Sequence, residues 1–240
     1  MTQENEVAMN AVILSCTTLT DYVNAAQKAC HTEYPVVWLD RSYHVEPSRM
    51  KEHILETIAD LPEEIDTILV SMGFCGGSWQ GVECPKRLVI PRVDDCVSLV
   101  MTTSDTVNPC TKEMGHMYVF GGKTEGFSIG AIYESLVKEH GPEMGEIVFD
   151  MFFENYRNVD IVDTGLYDCY APNFVEKVQK DADRIHAQLD FVPGSNYLLE
   201  KLVSGKWDDQ FYIAEPGTPV TQCDFFEWQK NDQRSVQISR

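Results

Sequence analysis

Basic residues are scarce in this chain of 240 residues: 19 Lys and Arg stand against 38 Asp and Glu, a formal net charge of −19. A nucleic-acid binder needs a basic footprint to displace counterions from phosphate, and here the few basic residues are scattered, so no nucleic-acid partner is expected. The same sign disfavours an anionic membrane surface. No run reaches the roughly 18–20 apolar residues of a membrane span. Met1 to Asn10 is polar and acidic, unlike the basic and then apolar start of an export signal, which leads us to expect a cytoplasmic protein. The eight cysteines never pair as CxxC, so the zinc-ribbon spelling is missing. The Lys-Ser/Thr of a phosphate loop and the GxGxxG fingerprint are missing too, and a Ser-His-Asp hydrolase is not expected. No low-complexity tract or Pro-rich linker divides the chain.

What is present reads as globular: 43% hydrophobic and 24% charged residues, in a chain long enough to bury roughly 70–75% of its unfolded surface. Short apolar runs recur in the first hundred residues at Ala11–Leu14, Val36–Leu39, Thr67–Val70 and Leu88–Ile90. Continuous β-branched runs of this length, rather than alternating ones, predict strands buried on both faces, as in a parallel sheet. Asp21–Ala29 and the segment with Met50, Ile54, Leu55, Ile58 and Leu61 predict helices between them. The second half repeats the rhythm. Met117–Phe120 predicts a strand, and a helical region from Ile129 to Asn155 is broken near Gly141-Pro142. Val159–Val162 is a further strand, followed by a helix over Phe174–Leu189, a shorter helix over Tyr197–Val203 and a last strand over Phe211–Ala214. The aromatics Phe149, Phe152, Phe153 and Tyr156 read as core.

The order predicts the α/β class, a parallel-sheet domain over residues 11–220 with two similar lobes, about 11–105 and 115–220. A disordered N-terminus (1–10) and a polar, frayed tail (221–240) flank it. Trp38-Leu39-Asp40 to Gly73 and Ile161-Val162-Asp163 to Gly194 share the layout strand, Asp, loop, helix, strand, Gly, which hints at an internal duplication.

Ligands of open α/β sheets bind beyond the carboxyl ends of the strands. Cys16, His44, Cys75 and Cys96 each follow a different predicted strand, so four metal-type side chains are expected on one rim. Histidine with two or three cysteines suits zinc, iron or an iron–sulfur centre. The glycines of Gly73-Phe74-Cys75-Gly76-Gly77 let the backbone approach a ligand closely. Asp95 is a candidate to orient a ligand or take a proton, and Arg92 to pair with a substrate carboxylate. A substrate pocket would also use Gly76, Gly77 and Tyr118, and Cys169 is either a fourth thiol for the site or structural. Cys30, Cys84, Cys110 and Cys223 have no pattern beyond that of small buried hydrophobes.

The strand-end Cys16, Gly-Phe-Cys-Gly, Ile90-Pro91-Arg92-Val93-Asp94-Asp95-Cys96, Ile161–Gly165 and Asn196–Leu202 through Trp207-Asp208-Asp209 to Glu215-Pro216-Gly217 resemble one uncharacterised prokaryotic family, filed as a domain of unknown function. The resemblance spans residues 11–220, and many members carry His where this chain has Asp94. Members often accompany corrinoid-dependent methyltransferases of anaerobes. The resemblance therefore implies a role in one-carbon metabolism, with a small-molecule substrate and a corrinoid protein or methyltransferase as partner. Two readings follow: an enzyme of methyl transfer with a zinc or iron thiolate site, or a non-catalytic carrier of metal, cluster or cofactor. Corrinoid enters only through the partner. A homodimer is compatible with the composition, although no interface pattern marks one.

Overall fold

The structure is a computed structural model that describes residues 9–109, 111–121 and 128–226, the side chain of residue 45 excepted. Its residues divide into two units. One holds the chain up to Leu99 with Ser104–Pro109 and Leu198 onward, and the other holds Val100–Thr103 with residues 111–197. Cys110 and Gly122 lie outside the described residues.

The first unit is a five-stranded sheet: β1 (Ala11–Cys16), β2 (Val36–Leu39), β3 (Thr67–Ser71), β4 (Arg87–Pro91) and β8 (Phe211–Ala214), in the order β2-β1-β3-β4-β8. The first four are parallel, and β8 closes the β4 edge antiparallel, with Leu88 opposite Ala214 and Pro91 opposite Phe211. Every residue of β1 and β3 is buried, which is the two-sided burial their unbroken apolar runs predict. Helices α1 (Thr20–Cys30) and α2 (Pro47–Ala59) make the crossovers. Tyr22, Val23 and Ala26 of α1 are buried, as are Met50, Ile54 and Ile58 of α2, at the spacing of one helical face. Pro47 starts α2 where its missing N–H costs nothing. The short α3 (Cys96–Met101) follows β4, and α7 (Tyr197–Ser204) buries Leu198, Leu199, Leu202 and Val203.

Strand order fixes where this sheet can bind. The chain winds from β1 out to β2, then crosses to β3 on the other side of β1. The winding therefore reverses between β1 and β3, and beyond their carboxyl ends lies the crevice that serves as the ligand site of doubly wound sheets.

The second unit has three parallel strands in sequence order, β5 (His116–Val119), β6 (Asn158–Asp163) and β7 (Gln188–Pro193). One face packs on α4 (Ile129–His140), α5 (Pro142–Phe153) and α6 (Pro172–Arg184) through Ile129, Phe149, Phe153, Val159, Ile161, Val178 and Ala182. The break between α4 and α5 falls at Gly141 (φ +81), directly before Pro142, as the sequence predicts. The expected helix to Leu189 ends at Arg184 instead. His186 takes a left-handed φ of 56° that stops the helix, and Gln188–Pro193 pairs with β6 as a strand. The repeated layout does not extend to strand order, because β2 and β3 are separated by β1 whereas β6 and β7 are neighbours.

Residues 222–226, in the segment expected to fray, form α8 (Gln222–Phe226). Its Phe225 is fully buried, with its ring 4.8 Å from that of Phe74. The approach to α8 runs along the segment after the glycine loop through Gly81 N–Val220 O (2.7 Å) and Val220 N–Val82 O (2.9 Å). Residues 1–8 and 227–240 lie outside the described part.

Candidate functional site

The β1 end sets the first ligand. Cys16 closes β1 and caps the following turn, its sulfur 3.5 Å from Thr18 N and 3.3 Å from Thr18 Oγ1. His44 rides on the turn Arg41–Val45 after β2. Asp40 Oδ1 caps that turn by accepting from Ser42 N–H (2.8 Å), and Arg41 N–H donates to Thr17 Oγ1 (3.1 Å), tying the β2 turn to the β1 turn. The result places His44 Nε2 3.0 Å from Cys16 Sγ, although 28 residues separate them.

The β3 and β4 ends bring the other two thiols. Phe74 N–H donates to Val93 O (2.9 Å) and Cys75 N–H to Asp94 O (2.7 Å), so the two strand-end loops run side by side. A side chain at Gly73 would collide with the Asp94-Asp95 backbone, and this contact requires glycine. Cys75, Gly76 and Gly77 then take φ of 47°, 66° and 92°. Left-handed backbone is ordinary for the glycines but costs a cysteine about 1–2 kcal/mol. Strain of this kind persists where the surroundings over-determine it, and it gathers at functional sites. Asp95 Oδ1 accepts from Ser98 N–H (2.8 Å) and so caps the start of α3, the turn that carries Cys96.

The four side chains join in series. Cys16 shares hydrogen bonds with His44 and with Cys96, and Cys96 with Cys75. All three cysteines are buried and free. The hydrogen bond with Cys96, aided by burial, pushes the Cys16 thiol up to about 12. For Cys96 the hydrogen bond with Cys16 is the largest influence and pulls downward. The hydrogen bond with Cys75, burial, and the charges of Cys75 and Asp95 outweigh it and leave Cys96 well above an ordinary thiol. The bond to Cys16 raises His44 above the usual imidazole value, with the Asp95 charge adding to it. Cys16 and Cys96 are thus held in the thiol form. Among the described residues no three His, Cys, Asp or Glu side chains stand as a preformed metal cage. Ser71 Oγ, at the β3 end, and Trp79 Nε1, just past the glycine loop, are buried without a hydrogen-bond partner, atoms that a fold normally satisfies.

The remaining expected site residues have surroundings of their own. Arg92 N–H donates to Gln210 O (2.7 Å), and its guanidinium lies 5.5 Å from the Tyr212 ring of β8. Burial draws its pKa below the usual guanidinium value, against the charges of Asp224, Tyr212 and Asp209. Tyr118 is on β5 in the second unit, where its hydroxyl accepts from Glu113 N–H (2.8 Å). Cys169 is buried in the core of that unit. Cys84 is buried, Cys30 half-buried and Cys223 exposed. A hydrolase is not expected for want of a G-x-S-x-G elbow, yet Gly126-Phe127-Ser128-Ile129-Gly130 spells one. Ser128, however, has extended backbone (φ −110°, ψ 162°) and caps α4, its hydroxyl accepting from Ala131 N–H (3.2 Å), so it lacks the strained strand-to-helix turn of an elbow.

Fold and site together define an α/β protein with a thiol–imidazole cluster at the switch point of a parallel sheet. Over residues 38–203 the chain matches the model of a family described as protein of unknown function (DUF1638), and it belongs to that family. The matched region includes His44, Cys75 and Cys96, while Cys16 lies before it. No curated protein and no solved structure matches the chain.

Proposed function

We propose that Cys16, Cys75, Cys96 and His44 hold zinc or iron, and that the protein uses this site on a small-molecule substrate in one-carbon metabolism. The observation that carries the reading is convergence: four residues spread from position 16 to 96 deliver three thiols and an imidazole into one hydrogen-bonded series at the switch point. This donor set suits tetrahedral zinc or iron, and the same thiolates suit an iron–sulfur cluster. The state of two thiols supports it: burial and a neighbouring thiol (Cys96 for Cys16, Cys75 for Cys96) hold Cys16 and Cys96 protonated, and a divalent cation would reverse that balance. The metal would supply Lewis acidity, lowering the pKa of a bound thiol or water.

The chain's own residues set the geometry. Cys75 is aimed by its left-handed backbone, and Asp95 acts as a positioning residue by fixing the α3 start that carries Cys96. Arg92 is the group we assign to a substrate carboxylate. The motif resemblance supports the one-carbon setting and a corrinoid protein or methyltransferase as partner.

The test is elemental analysis with a visible absorption spectrum on protein purified without oxygen, beside Cys16→Ser, Cys75→Ser and Cys96→Ser. One zinc or iron per chain, reduced in all three variants, is the expected result. Metal-free protein with unchanged variants would overturn the proposal. Substrate-dependent turnover with purified corrinoid protein and a thiol or methyl donor then divides an enzyme from a carrier, which binds metal equally but turns nothing over.

A further inference from the structure

Helix α5 in the second unit carries two apolar faces, and its core accounts for one. Gly145, Phe149 and Phe153, at i, i+4 and i+8, are turned into the unit's interior. Met144, Ile147, Met151 and Phe152 point elsewhere, with exposures of 53%, 53%, 68% and 59%. Residues 144, 147 and 151 lie three and four apart, one stripe on the helix surface, and Phe152 widens it. Four large side chains exposed to this extent present roughly 450 Å² of apolar surface, the size of the largest patch on a typical monomer, which is often a functional one. Along one edge of the stripe run Glu143, Glu146, Asp150 and Glu154, again three and four apart and all exposed.

We propose that this face of α5 docks a partner protein whose own apolar patch is bordered by lysine or arginine. The carboxylate row selects that chemistry. A second copy of this chain would bring a formal charge of −19 against the same charge, and the same acidic edge, whereas a basic rim pairs with the row while the apolar centres close. The Met-rich character of the stripe suits a helix face, since unbranched side chains repack against varied surfaces. The inference is independent of the metal reading, because it uses no residue of the thiol cluster.

The test uses a labelled synthetic amphipathic Leu/Lys helix, its Leu/Glu counterpart, and the full chain as wild type and as Met151→Glu with Phe152→Glu. The Leu/Lys helix should bind the wild type and the Leu/Glu helix should not. The double variant should bind the Leu/Lys helix roughly tenfold more weakly, the factor that about 1.4 kcal/mol gives. The variant adds two negative charges, which strengthen any purely Coulombic attraction, so weaker binding can come only from lost apolar contact. Both positions are exposed, and unchanged circular dichroism would confirm that the variant folds. Equal or tighter binding by the variant, or no binding of the Leu/Lys helix by the wild type, would overturn the proposal. So would a wild-type dimer in sedimentation that strengthens with salt and is lost in the variant, which would give the face to a second copy instead.

Discussion

Gly73→Ala should be the most damaging single methyl that can be added near the cluster, and its cost can be worked from geometry. The new Cβ would stand 2.6 Å from Asp95 N, 2.7 Å from Asp95 Cα and 2.9 Å from Asp94 C. Carbon contacts settle near 3.5–4.0 Å, so the two loops must part by about 1 Å. The atoms struck are backbone, and no rotamer change relieves them. Overpacking of this kind costs about 1–3 kcal/mol. Parting the loops also strains Phe74 N–Val93 O and Cys75 N–Asp94 O, each worth about 1 kcal/mol net. A loss of about 3 kcal/mol follows. Gly217→Ala in the same unit is the control: its φ of +78° penalises alanine, but nothing lies within 4 Å, so left-handed strain of about 1–2 kcal/mol is all it should cost. Among the described residues the tryptophans Trp38, Trp79 and Trp207 all belong to this unit, so urea unfolding followed by tryptophan fluorescence reports on it. At a slope of about 3 kcal/mol per M the midpoint should fall by about 1 M. Thiol titration should show Cys75 and Cys96 reacting faster in native Gly73→Ala, because the loops that bury them have separated. A cost within about 0.5 kcal/mol of the Gly217→Ala control, the usual additivity error, would refute the close-approach argument.

Three further outcomes follow from the same contacts. In metal-free protein Cys16→Ala should lower the His44 pKa toward the ordinary imidazole value, read from its ring proton shifts; an unmoved titration would remove the Cys16 bond as the cause of the elevation. Because that value is raised in the folded state, His44 adds stability below the ordinary histidine range and loses it as pH climbs through the folded value, so wild type and variant should differ most in acid. Asp66 carries the opposite sign: the Thr67 hydroxyl, donating at 2.6 Å, holds its carboxyl below the usual range. Its contribution is present above the ordinary aspartate value and vanishes as pH falls through the folded one, and Thr67→Val should make acid unfolding begin at higher pH, with an unchanged onset counting against it. Lys201 is buried with its ammonium donating to Asp105 (2.9 Å), Asp208 (2.5 Å) and Gln210 (2.7 Å). Lys201→Met should cost about 1–2 kcal/mol, below the roughly 3–5 kcal/mol of breaking a fully buried ion pair, because both carboxylates can recover water; no loss in urea unfolding would show that the amide and carboxylates gain nothing from the charge.

The rim was legible because of how parallel sheets are built. Runs such as Val12-Ile13-Leu14 and Ile68-Leu69-Val70 announce strands buried on both faces, and parallel strands place their carboxyl ends on one side, so Cys16, His44, Cys75 and Cys96 could be assigned to one edge before any contact was known. Periodicity misled where it continued across a backbone change. Ile185 and Leu189 keep helical spacing, but the left-handed His186 between them ends α6, and Leu189 belongs to a strand. It misled again at Phe152, because an apolar repeat shows that a face is apolar and not that the molecule covers it. Asp95 is expected to orient a ligand or take a proton, and the contact the structure adds is its cap on α3, a task that demands the same residue type in the same place. Long-range strands explain the rest. Arg92 meets Tyr212 only because β8 returns from 120 residues later to run antiparallel beside β4, and no local pattern around Arg92 encodes that return. What the sequence conveyed well is therefore set by strand ends and local period. What it concealed depends on which distant segment closes the sheet, and at this site that segment decides how Arg92 is buried.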